Sequence, residues 1–235
     1  MNSFEPLKRL RNGIFSSNTY VYSLPNRVRE CFVIDPGLDF ELIDSYLVAN
    51  QLTPVAVFCT HGHFDHVGSA QNLKEKYQCQ IYLHEADVKL SKSANFLLMA
   101  CKLSHRIRTP LIDVLMSADQ SALEVAGVRV SWAHVPGHTP GSCLIFIEDM
   151  VFSGDTIYKK AVGLSDFPGE DRALLIQSIL KMWDKIPSEF VVYPGHGGSG
   201  SFGSIKELNL PLRKLLGFLD GAIEQESLQG SLNDE

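Results

Sequence analysis

The stretch Thr60-His61-Gly62-His63-Phe64-Asp65-His66 puts four side chains of metal-ligand type within six residues. The run before it, Thr53-Pro54-Val55-Ala56-Val57-Phe58-Cys59, is short, apolar, partly β-branched and opened by a proline, which reads as a buried strand. After it, apolar residues at Val67, Ala70, Leu73 and Tyr77 follow a helical spacing. The four side chains therefore belong to a loop at the C-terminal end of a strand, where a helix begins. His61 and His63 are two apart, so an extended loop turns both rings to one side. There, neutral imidazole nitrogens can bind a borderline cation such as zinc. Asp65 and His66 continue into the helix and point elsewhere, so the spacing divides the donors between two metal ions. Surface histidines beside a turn would account for a lone His, but not for this cluster.

With 235 residues, 45% of them hydrophobic, the chain can bury a sizeable core. One domain over 1–235 with a short C-terminal helical extension is expected, two compact halves being the alternative. The net charge is −6, and Lys and Arg are scattered. No electrostatic footprint for nucleic acid or an anionic membrane results, and neither partner is expected. Cys31, Cys59, Cys79, Cys101 and Cys143 form no CxxC pair, and most lie in apolar runs, as free thiols do. The first residues lack an apolar core with a cleavage site, and nowhere do about 18 apolar residues run together. A soluble, cytoplasmic protein is the expectation.

Taken in order, 14–24 and 29–34 read as strands joined by the turn at Pro25-Asn26. Asp35-Pro36-Gly37 ends the second strand, and Asp39 is a candidate N-cap for a helix carrying Phe40, Ile43 and Leu47. Asp35 is either a carboxylate supporting a metal ligand or a turn residue binding its own backbone. Residues 79–84 return as a strand. Helical periodicity in 85–120 breaks at Thr109-Pro110 before a second apolar run at Leu111–Met116, which reads as amphipathic packing or a wall beside the site. Short strands follow at 122–125, 128–135, 142–148 and 150–152, then a helix at 171–186, a strand at 190–193 and a helical pattern over 205–228. The 229–235 tail is polar. The pattern is α/β, with two sheets packed together and helices outside.

Three later strand ends repeat the first. His138 stands in Pro136-Gly137-His138-Thr139-Pro140-Gly141-Ser142, Asp155 in Phe152-Ser153-Gly154-Asp155-Thr156, and His196 in Tyr193-Pro194-Gly195-His196-Gly197. His84, His105 and His134 lack that setting and read as packing or surface residues. Ser142, His138 and Asp155 could be assembled on paper into a triad, but no GxSxG elbow is present. The glycine-rich 195–203 segment lacks the ending of a phosphate-binding loop.

Together, "THGHFDH", "PGHTPGS", "FSGDT" and "YPGHG" resemble the metallo-β-lactamase superfamily over about residues 15 to 215. Within it the chain looks most like bacterial glyoxalase II-like hydrolases, through "VIDPG" (33–37), "SDFPG" (165–169) and the Gly203, Glu207, Asn209, Pro211 pattern. The resemblance implies a four-layer αββα sandwich of two mixed β-sheets. It implies that His61, His63 and His138 hold one metal, that Asp65, His66 and His196 hold a second, and that Asp155 bridges them. Two Zn²⁺ are the implied cofactors, with iron possible at either site. A hydroxide shared by the two ions would be the nucleophile, with Asp65 as proton acceptor.

The function so implied is a binuclear hydrolase of acyl thioesters, either small molecules or carrier-bound. Leu164 stands where glyoxalase II-like enzymes usually carry a basic residue, and no counterpart of the larger ones' C-terminal helical domain, with its basic glutathione contacts, is expected past Ile205. Both departures weaken the case for glutathione. Tyr158, Lys159 and Lys160, just after the Asp155 motif, are the candidate substrate contacts. A mononuclear iron oxygenase resembling persulfide dioxygenases, using His61, His138 and Asp155, is the alternative. A non-catalytic metal-stabilised module is a third.

Overall fold

A computed structural model describes residues 6–117, 121–164 and 169–219. In chain order the elements are β1 (Leu7–Arg11), β2 (Asn18–Ser23), β3 (Glu30–Ile34), α1 (Phe40–Ala49), β4 (Thr53–Phe58), α2 (Phe64–Val67), α3 (Ala70–Tyr77) and β5 (Gln80–His84). Next come α4 (Val88–Lys92), α5 (Ala94–Ala100), β6 (Val114–Met116), β7 (Ala122–Val125), β8 (Val128–His134), β9 (Cys143–Ile147) and β10 (Met150–Gly154). The described chain closes with α6 (Arg172–Met182), β11 (Val191–Pro194), β12 (Gly200–Ser201), α7 (Phe202–Leu208) and α8 (Leu210–Leu215).

Among the described residues the strands form two six-stranded sheets, ordered β1-β2-β3-β4-β5-β6 and β12-β11-β10-β9-β8-β7. Both are mixed: β3 to β6 run parallel after an antiparallel start, and β10 and β11 are the parallel pair of the second sheet. Strand alternation assigns each side chain to a layer. Tyr20, Tyr22, Phe32, Ile34, Phe58 and Tyr82 of the first sheet meet Val130, Trp132, Ile145, Ile147 and Phe152 of the second. On the other face of the first sheet, Val21, Val33, Val57 and Ile81 pack on Ile43 and Leu47 of α1, Leu73 of α3 and Leu98 of α5. Leu144, Val151 and Val192 of the second sheet pack on Leu175 and Ile179 of α6 and on Phe202, Ile205 and Leu212 of α7 and α8. The result is an αββα sandwich. Each fully buried side chain of this size contributes about 1.5–3 kcal/mol, so both sheets are held from both faces.

Several boundaries differ from the sequence reading. The strand expected over 14–24 begins only at Asn18, because Phe15 and Ser16 adopt left-handed φ values of 61° and 54° and reverse the chain onto β1. Asp39 begins α1 without capping it; its carboxylate accepts from Gly13 N–H instead. The helix expected after the histidine stretch is broken at Gly68-Ser69 into α2 and α3. The second apolar run of 111–116 supplies β6, parallel to β5. The final helical pattern splits at Asn209, whose side chain accepts from Leu212 N–H and restarts the helix as α8. Its continuation from 220, the polar tail and residues 165–168 lie outside the described residues. All five cysteines are free thiols, and no helix among the described residues is long and apolar enough to cross a membrane.

Candidate metal centre

Because β3, β4 and β5 are parallel, their C-terminal ends open on one edge of the sandwich. Asp35 follows β3, the 60–66 stretch follows β4, and Asp87 follows β5. The second sheet brings the other motifs to the same edge. Cys143 N–H donates to Thr60 O (2.9 Å) and Asn18 N–H to Gly195 O (2.7 Å), tying the sheets together around the cluster, while Gly195 N–H donates to Gly154 O (2.8 Å) within the second sheet.

His61, His63, Asp65, His66, His138, Asp155 and His196 all converge there. His63 Nδ1 lies 3.1 Å from His61 Nε2 and 3.0 Å from His138 Nε2. His196 Nε2 is 3.4 Å from Asp65 Oδ2, and His66 Nε2 is 3.6 Å from the same oxygen. Asp155 stands between the two groups, Oδ2 lying 3.7 Å from His138 and 3.4 Å from His196, and Oδ1 3.4 Å from His66. Three sets of donors each gather within 4.8 Å: His61, His63, His138; His61, His66, Asp155; and Asp65, His66, His196.

The chemistry of this donor set fits a cation. Thr60 Oγ1 gives its one proton to Asp35 Oδ2 (2.7 Å), so toward His61 Nδ1 (3.1 Å) it accepts. His61 thus carries its proton on Nδ1 and turns the Nε2 lone pair inward. His66 Nδ1 donates to Asp35 (3.0 Å) and His138 Nδ1 to Gly163 O (3.2 Å), with the same consequence. Such outer partners are the usual way a ligating imidazole is oriented. Nitrogen ligands about 2.0–2.1 Å from a tetrahedral ion stand about 3.3–3.4 Å apart; the imidazole pairs here lie slightly closer, at 3.0 and 3.1 Å, and the closest imidazole–carboxylate pairs at 3.4 Å. Two buried atoms in the cluster, His66 Nε2 and Asp155 Oδ1, make no hydrogen bond.

Electrostatics divide the cluster. Burial, followed by neighbouring imidazoles, holds His61 well below its ordinary value and brings His63 to about 4. For His66 burial acts downward, but Asp155, Asp65 and Asp35 outweigh it and raise the ring well above 6.5. His196 rises to about 9 against burial, through Asp155 and Asp65. Burial would raise Asp155 and Asp65, yet His66 and His196 keep both carboxyls low.

A cavity of about 190 Å³ opens onto the cluster, lined by Phe15, His63, Phe64, Asp65, His138, Asp155, Tyr158 and His196. Tyr158 is in this wall, its ring 6.0 Å from that of His196, and burial followed by Asp155 raises its phenol well above the ordinary value. Lys159 and Lys160 are exposed and not in the lining; the stem of Lys159 runs beside Gly200. His84 and His134 stack on each other at 4.0 Å, away from the lining. Of the two readings of Asp35, support of a donor is the one observed.

Three contributors were missed. Phe15 could not be placed while its segment read as a strand; its ring now lies 5.1 Å from Phe64. Glu170, with Oε2 3.7 Å from His138 Nδ1, follows the undescribed 165–168 segment. Asp87 sits in a short 3₁₀ turn after β5, and its one signal in the sequence was an acidic residue just past a buried strand.

Two mixed sheets with outer helices and a buried histidine-aspartate cluster at one edge define an αββα scaffold with a candidate metal centre. The profile of the metallo-beta-lactamase superfamily matches residues 12–196, and the chain belongs to that superfamily. It is 30% identical to hydroxyacylglutathione hydrolase GloC of Haemophilus influenzae over 186 residues, 75% of this chain and 84% of that one. Among solved structures it is similar to the BLEG-1 B3 metallo-beta-lactamase, with a TM-score of 0.79 and 31% identity over 88% of this chain and 99% of that one. TTHA1623 in a di-iron-bound form gives 0.76 and 30%, over 86% and 98%.

Proposed function

We propose that this protein hydrolyses acyl thioesters with the help of two divalent cations. The observation that carries the reading is the placement of Asp155 between two three-residue donor groups, 3.7 Å from His138, 3.4 Å from His196 and 3.4 Å from His66. His61, His63 and His138 would hold one cation, Asp65, His66 and His196 the other, and Asp155 would serve both. The similarity to GloC supports the thioester class. Donors of this kind suit zinc and iron alike, and the di-iron form of TTHA1623 keeps iron in consideration.

Two bound cations lower the pKa of a coordinated water toward neutrality and polarise the attacked carbonyl. The protein supplies the rest. Asp65, at the cavity wall and held ionised by His66 and His196, takes the proton released as water adds to the carbonyl carbon. The carbon–sulfur bond then breaks and a thiolate leaves; with a thiol pKa of about 8.5 it needs no obligatory general acid. Tyr158, Phe15 and Phe64 enclose the reacting group. The cavity is smaller than the about 300–1,000 Å³ of sites that enclose a drug-sized ligand, so the acyl end enters while the carrier stays outside. Among the described residues no Lys or Arg lines that wall: Leu164 is apolar, and Lys159 and Lys160 are exposed outside it, which favours an uncharged acyl end.

Metal analysis of the purified protein, run beside thiol release from S-lactoylglutathione, acyl-coenzyme A and acyl carrier substrates, tests the reading. Two metal equivalents with thiol release are expected. One iron with oxygen consumption on a persulfide, and no thioester cleavage, would replace the hydrolase by the oxygenase.

A further inference from the structure

The Asp87 side chain is buried from solvent and accepts from two backbone N–H groups and a hydroxyl. Oδ2 accepts from Gly62 N–H at 2.8 Å and from Thr139 Oγ1 at 2.7 Å, and Oδ1 accepts from Gly141 N–H at 2.7 Å. Gly62 lies between His61 and His63; Thr139 and Gly141 follow His138. One carboxylate therefore joins the two loops that carry the first donor group, loops 75 residues apart between His63 and His138. The approach is close enough that a Cβ on Gly141 would come within 2.6 Å of Asp87 Cγ, which accounts for a glycine at that position.

Asp35 does a different job. It accepts from Thr60 N–H (2.7 Å), Thr60 Oγ1 (2.7 Å) and His66 Nδ1 (3.0 Å), all within the 60–66 stretch. Burying a carboxylate is costly unless hydrogen bonds satisfy it, and a group placed so deep with three well-formed bonds fixes whatever its donors belong to.

We propose that Asp87 is a positioning residue that sets the spacing of His61 and His63 against His138, and so the cation affinity of the first donor group separately from the second. The inference rests on reading the cluster as two metal half-sites, not on the choice of substrate.

The test uses full-length protein loaded with Zn²⁺ and titrated with a chromogenic chelator: wild type, Asp87→Ala and Asp87→Asn. Each is repeated with His196→Ala, which removes a donor of the second group and so identifies which release step belongs to which group. Losing a group bonded directly to a metal ligand typically costs about 10–100-fold in affinity; Asp87 holds the residues beside the ligands, so a loss near the lower end, about 10-fold, is expected in the step surviving in the His196→Ala background, with the other step and the far-ultraviolet circular dichroism unchanged. Asp87→Asn, which keeps the volume and one acceptor oxygen, should fall between, and it carries the test if Asp87→Ala does not fold. Variants that match the wild type in both steps would overturn the inference, as would equal weakening of both steps with a lowered melting temperature. A wild type that holds no zinc would overturn the half-site reading itself.

Discussion

His66 is held by Asp35: Nδ1 lies 3.0 Å from Oδ2, and both side chains are buried. That bond leaves Nε2 facing Asp65 and Asp155, at 3.6 and 3.4 Å. Asp35→Asn, which keeps the shape and removes the charge, is therefore expected to weaken metal retention by about 10–100-fold. Chelator competition would show it; unchanged affinity would mean that the orientation of His66 is set elsewhere.

His61→Ala and Asp155→Ala remove donors themselves. Turnover on any thioester substrate should fall by more than the about 10–100-fold associated with an outer partner, while circular dichroism shows a folded protein. Near-normal turnover by either variant would contradict the assigned roles.

Gly195 packs against the cluster so tightly that a Cβ there would sit 2.1 Å from Asp155 Oδ1 and 2.5 Å from His66 Cε1. Gly195→Ala should displace both donors, with loss of metal and activity out of proportion to one added methyl. Metal content after purification measures it, and full occupancy in the variant would count against the packing described.

Stability toward acid should depend on His84, which stacks on His134 at 4.0 Å with ring planes 13° apart. Burial first, and His134 second, push His84 down from 6.5 to about 4. Between those values the unfolded chain binds more protons at this residue than the folded one. Its contribution is thus fully present above pH 6.5 and is lost as pH falls toward 4. His84→Phe keeps a stacked ring and removes the titration, so its melting temperature should fall less steeply with acid than the wild type's. Parallel melting curves across that window would refute the assignment.

Some of this was open to reading in one dimension. The 60–66 stretch carries its meaning locally, because a strand end and a two-residue spacing orient His61 and His63 whatever surrounds them. The layer pattern was equally legible, since alternation along β2, β3 and β4 sorts Tyr20 from Val21, Phe32 from Val33, and Phe58 from Val57. Short-range geometry could not show that Phe15 ends a hairpin onto β1, because two left-handed residues there leave no periodic trace.

The sequence by itself determined two packed sheets with outer helices and the candidate donors at their strand ends, since periodicity and residue type are properties of neighbouring residues. Only the tertiary structure decided the contacts no motif carried: that Asp87 grips both histidine loops, that Phe15 reaches Phe64, and that Tyr158 faces the cavity while Lys159 and Lys160 do not. Those are contacts between segments far apart in the chain, fixed by how the two sheets stack, and no local pattern encodes a distance across that interface.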